Sequence, residues 1–123
     1  MVSVYTPSDW AELTLPGRRS WDIVSSRTGS RAVSMRYVEI PPEGTPGQNR
    51  TKHKHLDREE VIWVLSGAGV IDGRASQTPV AEGQVIYVPA DEPHMTRNTG
   101  QDTLRLLCFF PEAEIGRHTQ EPA

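Results

Sequence analysis

The chain is predicted to fold as an all-β sandwich or barrel, on three observations. Ten prolines and ten glycines are spread over 123 residues and cut the chain into short segments. No window keeps up a helical period. Several short runs either alternate apolar with polar residues or concentrate Val, Ile, Tyr and Phe, as half-buried and buried strands do.

Length allows one domain with a single core and no staples. A formal net charge of −3 lacks the basic face that nucleic acid or an anionic membrane needs, so neither is expected as a partner. Cys108 is the single cysteine, which excludes an intramolecular disulfide and fits a reducing compartment. The N-terminus has no apolar core of signal-peptide length and no stretch is long enough to span a bilayer, so the expected location is cytoplasmic.

Residues 1–31 are read as an arm or lid packing on the domain. Residues 8–13 can make one helical turn capped by Ser8. Trp10, Leu13, Leu15 and Trp21 are expected to close one end of the core. Arg18, Arg19, Arg27 and Arg31 are read as solvated loop charges, the alternative being an anion-binding entrance.

Residues 32–111 are read as the β domain. A strand over 32–40 stops at Pro41-Pro42, because proline cannot donate to a ladder. One face carries Ser34, Arg36, Val38 and Ile40, the other Val33, Met35, Tyr37 and Glu39, and alternation alone does not choose between them. Residues 43–51 are polar and rich in Gly and Pro, a loop. His53 and His55 lie on a short strand, and 56–59 turn the chain. Residues 60–66 are apolar on both faces, which predicts burial on both sides. Asp72-Gly73 marks a hairpin. Strands follow at 85–89, 94–98 and 104–110, the last closed by Pro111. Cys108 is read as a small core residue. Residues 112–123 are read as a loose polar tail, with His118 exposed and without a role.

The chemistry concentrates in two places. His53 and His55, two apart on an extended segment, point to one face, and the Glu60 carboxylate returning on the next strand can meet them there. Imidazole nitrogens and a carboxylate oxygen suit a divalent first-row metal such as Fe, Mn, Zn or Ni. His94 follows a proline-bounded turn at the end of a buried strand. No phosphate-cradling glycine loop and no Ser-His-Asp spacing is visible.

Spelled out, the first motif is Gly47, five residues, His53-x-His55, four residues, Glu60, six residues, Gly67. The second is Gly83, five residues, Pro89-x-Asp91, two residues, His94, three residues, Asn98. This pair resembles the two motifs of the cupin superfamily over about the central half of the chain. Cupins usually have Gly where this chain has Asp91, and Asp tolerates the left-handed backbone such a turn uses.

The resemblance implies a single-domain jelly-roll barrel (a double-stranded β-helix) of roughly six to eight strands. It implies one divalent transition metal per chain (Fe, Mn, Ni or Zn), held inside the barrel by His53, His55, Glu60 and His94. Glu59 is the rival carboxylate, and Glu60 is preferred for its spacing to Gly67. Ile62, Val64, Thr96 and Asn98 are expected to line the pocket, with Trp63 pointing outward. Arg36, Tyr37, Tyr87 and Arg105 are the polar groups best suited to orient an acid or phenol. The implied function is a small metal-dependent enzyme acting on a small oxygenated or acidic metabolite, by dioxygenation, decarboxylation or isomerisation. The alternative is a non-catalytic small-molecule-binding or sensing cupin. The resemblance also implies a homodimer.

Overall fold

Pro41, Gly67, Gly73, Pro89 and Pro111 each stand one residue past the end of a strand, while Gly69 and Pro79 lie inside strands. The computed structural model describes residues 1–47 and 50–121, and among these there are eleven short strands, three single 3-10 turns and no α-helix. Gln48 and Asn49 of the predicted 43–51 loop, and the last two residues of the tail, lie outside the described residues. No helix is long and apolar enough to cross a membrane.

The strands are β1 (Ala11–Leu13), β2 (Arg19–Val24), β3 (Ser34–Ile40), β4 (Lys54–His55), β5 (Glu60–Ser66), β6 (Ala68–Asp72), β7 (Gln77–Ala81), β8 (Val85–Val88), β9 (Met95–Arg97), β10 (Leu104–Phe110) and β11 (Thr119–Gln120). They pair antiparallel into a six-stranded sheet of order β1-β2-β3-β10-β5-β8, a three-stranded sheet β7-β6-β9, and a two-stranded pair β11-β4. The register across the large sheet sets Arg36 opposite Cys108, and Cys108 opposite Ile62. Because side chains alternate along each strand, this row and the rows beside it share one face. That face carries Val38, Ile40, Ile62, Val64, Leu104, Leu106, Cys108 and Phe110, all buried. Val80 joins the same core from the small sheet. The inward face of β3 is therefore Ser34, Arg36, Val38 and Ile40. Each large aliphatic side chain buried here stabilises the fold by about 1.5–3 kcal/mol.

Four local expectations are corrected. The helical turn over 8–13 is a 3-10 turn at Pro7–Asp9, where the Thr6 amide donates to the Asp9 carboxylate. Leu13 instead pairs with Ser20 in β1, since ladder bonds to β2 outweigh the propensity of one isolated turn. Within the first 31 residues, β1 and β2 extend the six-stranded sheet at the edge opposite β8. Trp10 and Trp21 do not close an end of the core. They lie against Tyr37 on the outer face of the sheet, with ring centroids 5.4 and 5.5 Å away.

Strand β5 is buried on one face only, for Val61 and Trp63 are 37% and 50% exposed. The C-terminal segment is anchored: Ala113 and Ile115 are buried, and Thr119–Gln120 pair with β4. His118 has partners too, its carbonyl accepting from the Leu56 amide and its ring lying 3.2 Å from Glu112.

Candidate metal centre

Two reciprocal backbone bonds bring the histidines together. The His53 amide donates to the His94 carbonyl (3.0 Å), and the His94 amide donates to that of His53 (2.8 Å). This isolated bridge joins residues that are far apart in sequence and holds their ring centroids 4.5 Å apart. His55 closes β4, and Glu60 opens β5 on the inward face shared with Ile62 and Val64.

The turn between them is clipped by Asp91. Its amide donates to the His55 carbonyl (3.0 Å) and its carboxylate accepts from the Asp57 amide (3.1 Å). Asp57 and Asp91 both have positive φ, 54° and 64°. Asp91, the residue that departs from the second motif, takes the left-handed backbone that Asp tolerates and Gly favours.

The outcome is that one ligand atom from each of His53, His55, Glu60 and His94 lies within 4.8 Å of the others. Two of the imidazole tautomers follow from their partners. The Thr119 hydroxyl donates to the Ile115 carbonyl (2.7 Å), so towards His55 Nδ1 (3.0 Å) it is an acceptor. The Glu92 carbonyl can only accept, so His94 Nδ1 donates to it (2.8 Å). Both rings therefore turn Nε2 towards Glu60 Oε1, at 3.2 Å from His55 and 3.0 Å from His94.

His55 Nε2 is buried and, despite that distance, lacks hydrogen-bond geometry to any partner. An imidazole lone pair facing a carboxylate oxygen so closely is repulsive unless a cation lies between them. Neighbouring ligands of an octahedral ion bound at about 2.1 Å are roughly 3 Å apart, so the donor set fits a divalent first-row metal.

Burial and charge act differently on each group. Burial drives His53 down to about 3, helped by His94 and His55, so its ring is neutral and ready to coordinate. Burial would raise Glu60, but the close His55 and His94 rings outweigh it and hold the carboxyl at about 2. Burial opposes a charge on His94, and the Glu60 carboxylate overcomes this and raises it. Cys108 faces the same cavity. Burial and the Glu60 charge push its thiol well above the ordinary range, which keeps it a protonated core group.

A cavity of about 270 Å³ opens in front of the four residues. Of the expected pocket residues, Ile62, Thr96 and Arg36 line it. Val64 is fully buried in the core behind it. Asn98 is fully buried as well, and braces the backbone by donating to the Ile40 and Asp102 carbonyls (both 2.8 Å). Tyr87 and Arg105 lie on the outer face, Tyr87 bonded to Glu59 and Arg105 to Tyr37 and Glu39. Glu59 thus points away from the histidines.

A larger open depression of about 610 Å³ lies beside β7 and β8, and its ionisable groups among the described residues are Tyr87, Glu92 and His94. Sequence reasoning missed Leu15, Arg50 and Phe110 as cavity residues, and Arg18 was read as solvated. Arg50 stands three residues before His53, a signal that a charge enters the site beside that histidine. Strand alternation could not place it, because it sits in a loop.

A family of cupin domains matches residues 36–110. Uncharacterized protein MJ1618 of Methanocaldococcus jannaschii is 34% identical over 62 residues, 50% of this chain and 50% of its own. Among solved structures, the oxalate decarboxylase of Lactobacillus farciminis in its formate complex superposes with a TM-score of 0.76 at 20% identity, over 93% of this chain and 34% of that one. The polyketide cyclase RemF of Streptomyces resistomycificus superposes with a TM-score of 0.73 at 22% identity, over 90% and 80%. At such identities these structures share the fold. The chain spans about half the length of the curated relatives it matches.

Proposed function

The chain belongs to the cupin family, and on that premise we propose that it is a metal-dependent enzyme acting on a small oxygenated metabolite. His53, His55, Glu60 and His94 hold one divalent ion, Fe, Mn, Ni or Zn. The observation that carries this is the pair of imidazole nitrogens turned on Glu60 Oε1 at 3.0 and 3.2 Å while their other nitrogens are tied to Glu92 and Thr119. Those outer partners fix ring orientation, as the second layer of a metal site does.

A bound ion would supply a Lewis acid that polarises a substrate oxygen. This chain's residues do the rest. Ile62, Leu106 and Phe110 exclude water, and Thr96 and Arg36 offer polar groups beside the ligands.

Elemental analysis of protein purified without a metal-affinity tag is expected to find about one transition metal per chain. No stoichiometric metal would overturn the proposal. Tightly held metal with no turnover of any small oxygenated acid would leave a binding cupin instead.

The same reading makes the protein a homodimer. The outer face of β5, β8 and β10 exposes Val61, Trp63, Val85, Tyr87 and Phe109 side by side. A contiguous apolar patch of this kind marks an interaction surface, and β8 is the edge of its sheet. Light scattering at micromolar concentration is expected to give the dimer mass, and Trp63→Glu the monomer mass. A monomeric parent protein removes the dimer.

A further inference from the structure

Five described arginines are half-buried: Arg18, Arg36, Arg50, Arg58 and Arg97. Arg58 is paired with Glu112, and Arg97 with Asp72 and Glu43. The other three all line the cavity in front of the histidines, and among the described residues none of them has a carboxylate within ion-pair reach. Their contacts are sparse. Arg18 donates to the Pro16 carbonyl (2.8 Å), and Arg50 donates to the Thr96 carbonyl while its Nε is buried without a partner. Arg36 lies over the Phe110 ring at 5.8 Å.

Asp22, the cross-strand neighbour of Arg36, is engaged by Arg27 at 2.6 Å. Glu121 lines the same cavity and accepts from Thr51. Burial is the largest influence on the pKa of all three arginines and lowers it. Glu121 attracts Arg18 and Arg50, and Glu60 attracts Arg18 and Arg36, while Arg36 repels Arg18 and Arg18 repels Arg50. Burying cations this way is costly unless a counter-charge arrives.

We propose that Arg18, Arg36 and Arg50 form an anion subsite that receives the carboxylate of a small dicarboxylate or oxo acid, whose other oxygen function then faces His53, His55, Glu60 and His94. Guanidinium forks match a planar carboxylate with paired, charge-assisted hydrogen bonds. The cavity, about 270 Å³, is smaller than the roughly 300–1,000 Å³ pockets of drug-sized ligands, so the acid is small. That its occupant is a substrate rests on the metal-centre reading, whereas the subsite itself rests on the arginines.

Calorimetric titration of malonate, malonamide and inorganic phosphate tests this, using the full chain in metal-stripped and manganese-treated forms with metal content measured in parallel. Malonate is expected to bind the stripped form, and malonamide and phosphate to bind at least about tenfold more weakly. Arg18→Met, Arg36→Met and Arg50→Met are each expected to weaken malonate about tenfold, with Arg105→Met on the outer face unchanged. Arg36→Lys and Arg50→Lys, which keep the charge but lose the fork, replace any methionine variant whose thermal melt shows it unfolded, and are expected to bind malonate more weakly than the parent.

Malonate affinity untouched by the substitutions, no malonate binding to the stripped form, or tighter binding of phosphate would each overturn the subsite. Absence of metal from the treated form would sink the metal-centre reading alone, because the stripped-form titration does not depend on it.

Discussion

His94→Ala is expected to reduce bound metal from about one ion per chain to near zero, and to abolish any metal-dependent turnover. The size of the effect follows from the site's construction. His94 supplies one of four converging donors, and its ring donates to the Glu92 carbonyl behind it. Its loss also leaves the buried Glu60 carboxylate facing His55 Nε2 across 3.2 Å without the second imidazole that shares it.

Glu60→Gln is expected to have nearly the same consequence for metal content, because it removes the only converging carboxylate among the described residues while keeping the shape. His118→Ala is the control. That histidine lies beside Glu112, away from the cavity, and metal content should be unchanged. Elemental analysis of the three variants beside the parent decides the matter, and full metal occupancy in His94→Ala would remove His94 from the ligand set.

Gly69→Ala is expected to be the most damaging small substitution in the β-sheets. A Cβ at this position would stand 2.2 Å from the Arg97 carbonyl oxygen and 3.1 Å from a Leu104 methyl. The first contact is with backbone, so β6 and β9 must separate to admit one methyl group, and β9 runs directly on from His94. Overpacking of this kind costs about 3 kcal/mol, which a chain of this size shows as a drop of roughly 10 °C in Tm. Gly116→Ala, with nothing within 4 Å of the added carbon, is the matched control and should stay within about 0.5 kcal/mol of the parent. Equal melting temperatures for the two variants would show that β6 and β9 do not approach so closely.

Parts of the site were legible because they depend on local spacing. His53 and His55 share a face through the period of an extended segment. Glu60 could be preferred over Glu59 from its spacing to Gly67, and its side chain faces the histidines while that of Glu59, one residue earlier, turns outward to Tyr87. Asp91 could be forgiven its place in a glycine position because Asp reaches φ 64° at small cost.

Other residues were misplaced for an equally physical reason. Alternation gives two faces but not which of them is inside. Tyr87 and Arg105 were expected in the pocket, yet they stand on the outer face with Glu59 and Glu39. Asn98 points inward as expected, but its amide is consumed by the Ile40 and Asp102 carbonyls.

The sequence by itself determined the all-β class, the turn positions and the four candidate ligands, since Pro, Gly and motif spacing act over a few residues. Only the tertiary structure decided what surrounds them. It brought Arg18 from the loop after β1, Arg36 from β3 and Arg50 from the loop before β4 to one cavity, and tied the last residues to β4 so that Thr119 supports His55. Those contacts join segments far apart in the chain, His55 and Thr119 by 64 residues. They are set by strand order and register, which no local pattern in the chain encodes.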